Sequence, residues 1–408
     1  MNSAPEIRCL DAIFKSEKQN SKMGKLILSE NDFLKAFGNC NYDTSKKYLK
    51  ARELSKIISN NSEIARRIKH PNRTVHDWLS GKKIPNPIKH LDFLRAINLM
   101  PLKPSNDSGF LFFTEIVGFL FGDGHLMKHL GAFCLCGQKE DLLALQASIE
   151  KTFAIKTKLK NTRQTSTINK LIKGKIVSKS LSSSTWYLQV NSTPLARLFY
   201  LSGVPKGDKV LQKTLVPSWI MDGEWEVKQA FLSSLFGNEL QCPKLRLSCK
   251  NAFSSPQLGF HKVEGNEGDL KIFLYQIKIL LEEFGINSSE ISLDNSYKSV
   301  RKDGLFAQKQ YFSIDSNAKN ILNLYTKVPF KYADEKKSRF DQAVSKFLKN
   351  KDVYKQDWEI YEKVMQMHSN GLGRRTIFKT LNLPKKYFYK INAWIHYGHK
   401  PLYYSLNQ

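Results

Sequence analysis

Two carboxylates stand at the ends of two similar apolar segments of the chain. The first segment runs from Phe112 to Gly124 and holds Asp123 between two glycines, and the second runs from Val227 to Leu240 and holds Glu239. Each segment is predicted to be an apolar helix that contains small residues. Small residues such as Gly118 let two helices approach backbone to backbone. We therefore expect the helices to pack closely and to bring Asp123 and Glu239 together.

A pair of adjacent carboxylates has a definite chemical use. The two charges repel each other unless cations lie between them, and hard divalent cations such as Mg²⁺ prefer oxygen ligands. In a basic cleft, such cations activate water and stabilise a leaving oxygen, which suits the hydrolysis of phosphodiesters. The alternative is that both segments are ordinary core helices that end in capping turns.

The composition favours a nucleic acid as the partner. The 408 residues include 64 Lys and Arg against 37 Asp and Glu, a formal net charge of +27, with 41% hydrophobic residues. A folded chain of this charge attracts phosphate backbones, and its length suggests two or three domains. No apolar run reaches the roughly 18 residues of a membrane span. The N-terminal residues lack the apolar core of a signal peptide. We expect a cytoplasmic protein, associated with the nucleoid when bound, and no membrane partner.

A long stretch without acidic residues predicts a surface that faces nucleic acid. Residues 151–207 contain no Asp or Glu but eleven Lys or Arg, and pieces such as STWYLQVNS favour β-hairpins. A sheet laid against DNA needs such cations, because each phosphate contact releases counterions. A solvated basic surface is the alternative. The cations predicted to contact DNA in and beside this stretch are Lys139, Lys156, Lys158, Lys160, Arg163, Lys173 and Lys175.

Two further segments, near the two ends of the chain, resemble helix-turn-helix units. In residues 62–79 a short amphipathic helix, with Ser62 as its predicted cap, precedes a turn and a second basic helix; residues 374–395 repeat the pattern. Either segment could instead be a simple pair of packing helices. The residues predicted to contact DNA are Arg73, His76, Lys82 and Lys83 in the first unit, and Arg374, Arg375, Lys385, Lys386 and Lys390 in the second.

The two acidic segments resemble a known signature. Residues 116–124 (IVGFLFGDG) resemble the nine-residue LAGLIDADG motif, and residues 232–240 (LSSLFGNEL) resemble a second copy of it. The second copy has Ser234 at the interface glycine, Glu239 at the acid and Leu240 at the closing glycine. The chain therefore resembles a single-chain, two-repeat LAGLIDADG homing endonuclease, over roughly residues 111–340.

The resemblance implies a fold and a domain plan. The fold class would be α+β, with two pseudo-symmetric αββαββα half-domains, the motif helices at their interface and antiparallel strands forming a saddle over DNA. The implied domains are a helix-turn-helix region at 1–108, repeats at 109–220 and 221–345, and a second helix-turn-helix region at 346–408. The protein would act as a monomer on double-stranded DNA.

The resemblance also implies roles for individual residues. Asp123 and Glu239, with the backbone carbonyls of Gly122 and Asn238, would hold Mg²⁺ or Mn²⁺. Gln138 would belong to the solvent network of the active site. The residues that would offset the charge developing on the phosphate during Mg²⁺-dependent cleavage of both strands are Lys209 and Lys336.

Two alternatives to the nuclease stay open. The chain could be a DNA-binding transcriptional regulator that derives from the same fold and no longer cleaves, although both acids are present. It could also be an intron maturase that binds structured RNA through a basic surface. A self-splicing intein is not expected, because the sequence neither begins with Cys or Ser nor ends in His-Asn.

Overall fold

The computed structural model describes residues 26–172, 175–246, 252–296 and 298–401. It combines helices with antiparallel strands, which is the predicted α+β class. Within these residues, no helix is both long enough and apolar enough to cross a membrane. The predicted domain boundaries and the pairing of the two halves as repeats stay predictions.

The N-terminal unit (residues 26–102) is helical. Two of its helices flank a turn in the region of the first predicted helix-turn-helix unit; that they form a DNA-binding unit stays a prediction, and Ser62 is not the cap. Asn60 is the N-cap, and its side chain accepts from the backbone N–H groups of Ser62 and Glu63. An Asn side chain satisfies helix N–H groups as well as Ser does, and it lies one residue before the helix. The helices are α1 (Glu30–Lys35), α2 (Asn39–Leu54), α3 (Asn61–Ile68), α4 (Asn72–Leu79) and α5 (Asn86–Ala96).

The first half (residues 108–201) alternates one helix with two strands, as the resemblance implies. Its first helix begins at the N-cap Asp107, whose side chain accepts from the N–H of Phe110, and it ends just before Gly122. The elements are α6 (Ser108–Phe121), β1 (Gly124–Leu126), β2 (Phe133–Gly137), α7 (Lys139–Phe153), β3 (Lys158–Ile172), β4 (Lys175–Val190) and α8 (Thr193–Leu201).

A connecting segment (residues 202–224) leads to the second half (residues 225–327). The segment holds a 3₁₀ turn at Lys209–Leu211 and the short helix α9 (Ser218–Met221). The second half also alternates helices with strands, but three short strands, not the two that the resemblance implies, lie between successive helices. Its elements are α10 (Trp225–Glu239), β5 (Leu245–Arg246), β6 (Ala252–Phe253), β7 (Gln257–Val263), α11 (Glu267–Glu283), β8 (Ser292–Leu293), β9 (Lys298–Val300), β10 (Phe306–Ser313) and α12 (Ala318–Lys327).

One eight-stranded antiparallel sheet joins the two halves. Its order is β1-β2-β4-β3-β9-β10-β7, and β8 pairs with β10. The long β3–β4 hairpin comes from the acid-free stretch, which is therefore β-structured as predicted. The junction is the pairing of Asn169, Lys170 and Leu171 in β3 with Val300, Ser299 and Lys298 in β9.

The helices α6 and α10 pack against each other through the predicted small residue. A Cβ atom added to Gly118 would lie 2.4 Å from the carbonyl oxygen of Phe231, and 3.2 Å from the Cβ of Ser234. No side chain fits in that space, so Gly118 sets the approach of the two backbones. The predicted close packing of the two acid-bearing helices is present in the structure.

The C-terminal part begins with one long helix, α13 (Asp334–Ser369), and ends with α14 (Arg374–Thr380) and α15 (Lys386–Tyr397). The predicted boundary at residue 345 lies inside α13. Phe340, Val344 and Phe347 belong to the core that runs through the N-terminal unit and both halves. A separate hydrophobic cluster joins the end of α13 to the last two helices; its buried members are Val364, Ile377, Tyr387, Ile391 and Trp394.

Candidate functional site

The ends of α6 and α10 bring the two predicted acids together. Asp123 follows α6 directly, and Glu239 is the last residue of α10. The Oε1 atom of Glu239 lies 3.5 Å from the position that a Cβ on Gly122 would take, beside Asp123 in the chain. Among the residues that the structure describes, neither carboxylate has a hydrogen-bond or ion-pair partner. Both are therefore free to bind a ligand.

The environment of the two acids raises the pKa of each. Burial raises the pKa of Asp123, although its side chain is exposed on one side; Lys209 and Lys336 oppose this effect. Burial raises the pKa of Glu239 to about 7, and the charge of Asp123 adds to the effect. Two carboxylates that resist ionisation together are stabilised in their charged form by a bound cation.

Lys209 lies at the carboxyl end of α6. Its ammonium group donates to the backbone carbonyls of Leu120 (3.3 Å) and Phe121 (3.2 Å), and also to those of Gly122 and Gly124. Helix C-termini carry unsatisfied carbonyl oxygens and partial negative charge, which a lysine offsets. Burial lowers the pKa of this lysine, while the two acids act in the opposite direction.

Lys336 makes the corresponding contact with the second helix. From the first turn of α13, its ammonium group donates to the carbonyls of Phe236 (3.4 Å), Gly237 (2.5 Å), Asn238 (3.0 Å) and Leu240 (3.0 Å). Burial lowers its pKa as well. Lys209 and Lys336, to which the resemblance assigns the same role, thus occupy corresponding positions at two helix ends.

The carbonyls of Gly122 and Asn238 were predicted to be metal ligands. In the structure they accept hydrogen bonds from Lys209 and Lys336, respectively. Each carbonyl oxygen has two lone pairs, so a second interaction is compatible with the first. Their role as ligands stays a prediction. Leu240, at the closing position of the second motif, adopts ordinary extended backbone (φ −73°, ψ 135°), so this turn does not require glycine.

Residues of the second half hold the segment that carries Lys209. Lys262 in β7 is 4% exposed, and its ammonium group donates to the carbonyls of Lys209 and Gln212 and to the Oγ1 of Thr214 (2.7 Å). Burial lowers the pKa of Lys262 to about 8. Arg301 adds an ion pair with Asp208 at 2.7 Å. These anchors were missed from the sequence, although Lys262 shares the strand face of buried Leu258, which signals a lysine at a core position.

Residues of the first half contact the segment that carries Lys336 in a comparable way. The carboxylate of Asp141 in α7 is 7% exposed and accepts from the backbone N–H of Asp334 (2.9 Å), at the start of α13. The two lysine-bearing segments are therefore each tied to the half of the molecule that does not contain the helix they cap.

A buried acid inside α6 forms a second tie across the molecule. Glu115 is 8% exposed, and its two carboxylate oxygens accept from the ammonium group of Lys331 and the hydroxyl of Tyr332. Beside it, the backbone of Lys331 passes so close to α10 that a Cβ on Gly237 would lie 1.9 Å from its carbonyl oxygen. This cluster was also missed from the sequence; its signal was a single charged residue in an otherwise apolar helix.

Gln138, predicted for the solvent network, and its neighbour Lys139, predicted to contact DNA, both lie at the surface. Gln138 follows β2 directly and is the N-cap residue of α7, and its side chain makes no capping hydrogen bond. Lys139 is exposed, with its ammonium group 5.1 Å from the ring centroid of Trp186. A role for Gln138 in the active site stays a prediction.

The register of the sheet sorts the predicted basic residues by face. Residues directly opposite each other on neighbouring strands share a face of the sheet. Lys158, Gln189, Cys134 and His125 stand opposite one another on β3, β4, β2 and β1, so all four lie on one face. Strict alternation then places Lys160 and Lys175 on this face and Arg163 on the opposite one. Lys156 is exposed before β3, and Lys173 lies outside the described residues. We call the face that carries Lys158, Lys160 and Lys175 the basic face.

In the two helix pairs, some of the basic residues predicted to contact DNA are exposed, and others interact with side chains of the protein. In the N-terminal pair, Lys83 lies 3.4 Å from Asp77. In the C-terminal pair, Lys390 is ion-paired with the buried Asp357, and Arg374 stacks on Phe388 at 4.5 Å. The predicted cations that are exposed are Arg73, His76, Lys82, Lys83, Arg375, Lys385 and Lys386.

The residues at the two helix ends fit a hard divalent cation. Two carboxylates lie close together, have no protein partner in the described part of the chain, and have raised pKa values, which is the donor set that Mg²⁺ or Mn²⁺ prefers. Across the described residues, no group of three or more His, Cys, Asp or Glu side chains is assembled for a metal. Any cation here would therefore complete its shell with backbone oxygens, water or a ligand.

No family model matches the chain. Sequence comparison finds curated relatives at low identity. The replication factor C small subunit of Methanocaldococcus jannaschii is 25% identical over 364 residues, which is 83% of this chain and 18% of that protein. The tRNA-splicing ligase RtcB of Pyrococcus furiosus is 29% identical, over 72% of this chain and 30% of that protein. The DNA-directed RNA polymerase subunit Rpo1N of M. jannaschii is 27% identical, over 71% of this chain and 21% of that protein. The chain spans less than a third of each relative.

Structure comparison finds solved chains at low scores. A structure of mesophilic variants of the homing endonuclease I-DmoI matches with a TM-score of 0.32 and 14% identity, over 55% of this chain and 91% of that one. The structure of I-DmoI in complex with DNA and Ca matches with a TM-score of 0.32 and 12% identity, over 55% of this chain and 93% of that one. Full-length DUF199/WhiA from Thermatoga maritima matches with a TM-score of 0.31 and 14% identity, over 71% of this chain and 90% of that one. These matches do not assign the chain to a family.

Proposed function

We propose that the protein is a divalent-metal-dependent endonuclease that cuts both strands of DNA at specific sites. The observation that carries the proposal is the paired helix ends: Asp123 and Glu239, two carboxylates without a partner among the described residues, meet where two backbones touch, and each helix end is capped by a lysine. A surface that only binds DNA gains nothing from two unpaired acids. A hydrolytic site requires them.

Asp123 and Glu239 would hold the cations, and a bound Mg²⁺ supplies activated water and neutralises charge on the phosphate. The ammonium groups of Lys209 and Lys336 lie within electrostatic reach of both acids. They would offset the charge that develops on the phosphate during cleavage. One acid comes from each half, so we propose that the halves are related repeats and that each acts on one strand.

The basic face supplies the affinity for DNA. Lys158, Lys160 and Lys175 share it with His125, which belongs to the strand that directly follows Asp123. Phosphates bound along this face would lead toward the acids. The exposed cations of the helix pairs near both ends of the chain would extend the contact. We propose that the protein works as a monomer, because one chain supplies both acids.

The curated relatives support a separable unit rather than any one of their named activities. They carry three different names, of a replication factor, an RNA ligase and an RNA polymerase subunit, and the chain matches only 18–30% of each. A segment shared by proteins with such different names does not supply the activity of any one of them. We therefore propose no ligase activity for this chain.

The test is cleavage of a plasmid library in Mg²⁺ by the full chain and by two variants, Asp123→Asn and Glu239→Gln. Mutation of a residue that only supports a metal ligand lowers metal affinity or activity by roughly 10–100-fold, so the loss of a ligand itself should lower the cleavage rate further. We expect the unmodified protein to linearise library members, and each variant to lose more than about 100-fold in rate. Binding measured in EDTA should persist in both variants. Full cleavage by both variants would contradict the assignment of the acids.

A regulator that binds without cutting is the second candidate. The observation that favours it is the pair of helical units with exposed basic residues, which is more DNA-binding surface than cleavage requires. The same experiment separates the two candidates. If the unmodified protein binds DNA but cuts no member of the library with Mg²⁺ or Mn²⁺, the regulator replaces the nuclease.

A further inference from the structure

A cationic pocket lies where the N-terminal unit meets the first half, and it shares no lining residue with the paired helix ends. Its volume is about 280 Å³, near the lower bound of roughly 300 Å³ for small-molecule sites. Among the described residues that line it, the cations are Lys128, Arg197 and Lys206. No Asp or Glu is among the lining residues. Such a concentration of positive charge without a carboxylate attracts anions.

Arg197 in α8 is fixed in place and retains an unused donor. Its Nη1 donates to the carbonyl of Ala36 (3.3 Å), and its guanidinium lies 4.2 Å from the ring centroid of Phe37. Its Nε is buried and has no hydrogen-bond partner in the structure described. The guanidinium group is thereby held at the wall of the pocket, and no carboxylate lines the pocket to offset its charge.

The other donors surround the same space. The ammonium group of Lys206 lies 4.3 Å from the ring centroid of Tyr200, which orients it without neutralising it. In the part of the chain that the structure describes, neither Lys128 nor Lys206 forms an ion pair. The Nδ1 atom of His129 accepts from the backbone N–H of Gly131 (2.9 Å), which leaves Nε2 as the ring nitrogen available for another contact.

We propose that this pocket binds a phosphate group. Guanidinium, ammonium and imidazole donors that converge without a carboxylate match a multivalent oxyanion, and Arg in particular matches phosphate geometry. The two units that flank the pocket carry exposed cations, which favours a backbone phosphate of bound DNA as the source. A free phosphate compound is the other source with the same chemistry. The proposal goes beyond cleavage and holds whether or not the chain cuts DNA.

The first arm of the test measures a free phosphate compound. Full-length protein in EDTA is titrated with sodium pyrophosphate by calorimetry, beside the double variant Lys128→Ala/Lys206→Ala. Both side chains lie at the surface of the pocket, so the fold should persist, which thermal unfolding checks. Lys271→Ala/Lys319→Ala, which also removes two exposed charges but lies outside the pocket and outside the acid-free stretch, is the matched control. We expect one site per chain, weakened at least tenfold in the double variant and unchanged in the control.

The second arm measures DNA. The slope of log K against log salt falls by about 0.9 for each phosphate that the protein no longer neutralises. If DNA supplies the phosphate, the slope for the double variant is shallower by about 0.9 to 1.8, and the slope for the control is unchanged. Pyrophosphate then also competes with the duplex for binding. If the double variant is impaired in pyrophosphate binding alone, the source is a free phosphate compound. A folded double variant that matches the unmodified protein in both arms would overturn the proposal.

Discussion

Lys209 and Lys336 make the same contact with two different helices. Each ammonium group donates to four consecutive or nearly consecutive carbonyls at the carboxyl end of an acid-bearing helix, α6 for Lys209 and α10 for Lys336. Each thereby fixes a helix end and places a positive charge beside the acids. The two contacts give the site an approximate symmetry that the unequal strands of the two halves do not have.

We predict that Lys209→Met and Lys336→Met slow the cleavage of opposite strands. Under the proposed function, each lysine supports one half-site, so either variant should accumulate nicked plasmid, with strand cleavage slowed by about 100-fold or more. Sequencing the nicked ends identifies the strand that each variant leaves intact. Lys213→Met is the control, because Lys213 is exposed and pairs with Asp269 instead. Nicks on the same strand in both variants would refute the symmetric assignment.

We predict that Gly118→Ala destabilises the protein by roughly 1–3 kcal/mol, because the added Cβ would meet the backbone of Phe231 at 2.4 Å. Gly268→Ala is a matched control in another helix, since its Cβ would meet nothing within 4 Å. Alanine favours a helix over glycine, so the control should be neutral or slightly stabilising. Chemical denaturation measures both; equal free energies of unfolding would show that the two helices do not touch at Gly118.

We predict that Tyr332→Phe costs about 1–3 kcal/mol of stability, because it removes a donor from the buried carboxylate of Glu115. Burial raises the pKa of Tyr332, so its hydroxyl stays protonated and donates at neutral pH. Tyr389→Phe makes the same chemical change at a side chain that is 80% exposed, and should have no effect. The two variants are compared by urea denaturation, and matching midpoints would contradict the prediction.

We predict that the stability contributed by Lys262 depends on pH. Its folded pKa of about 8 lies below the ordinary value of 10.5, so the unfolded chain binds the proton more tightly. The buried charge of Lys262 lowers the free energy of unfolding by its full amount below pH 8, where the lysine is protonated in both states. This destabilisation disappears as the pH rises toward 10.5. Relative to Lys262→Met, the unmodified protein should therefore gain up to about 3 kcal/mol across that window. A difference that stays constant between pH 7 and 10 would contradict the lowered pKa.

We predict that the two faces of the β3–β4 hairpin differ in their contribution to DNA binding. Lys158→Ala/Lys160→Ala should flatten the salt dependence of binding by about 0.9 for each phosphate left without its lysine. Arg163→Ala should leave the slope unchanged, because alternation places Arg163 on the other face. Fluorescence anisotropy at several salt concentrations measures both. An equal change of slope in the Arg163 variant would show that the duplex does not lie on the basic face.

The sequence predicted the local features that depend on residue type and spacing. The approach of α6 and α10 at Gly118, the meeting of Asp123 and Glu239, and the β-structure of the acid-free stretch all follow from small residues, apolar periodicity and β-propensity. Lys209 and Lys336 were matched through the resemblance, and the structure places both at helix ends. The cap at Asn60 was missed because two good capping residues, Asn60 and Ser62, stand close together.

The sequence did not predict the ties between distant segments. The carboxylate of Glu115 and the donors of Lys331 and Tyr332 are more than 200 residues apart. Lys262 in the second half and the carbonyl of Lys209 in the connecting segment are separated by 53 residues. Spacing and periodicity describe only one element at a time, so such pairs are visible only when the chain has folded. The engagement of Lys390 with Asp357 was hidden for the same reason.

The crossed anchoring of the lysine-bearing segments has a consequence for attempts to recombine the molecule. Lys262 and Arg301 of the second half hold the segment of Lys209, Asp141 of the first half contacts the start of the helix that bears Lys336, and β3 pairs with β9. A chimaera that joins the first half to a foreign partner would lose these supports even if the helix contact were preserved. The two halves are therefore not independent units, and each depends for its lysine contact on residues that the other half supplies.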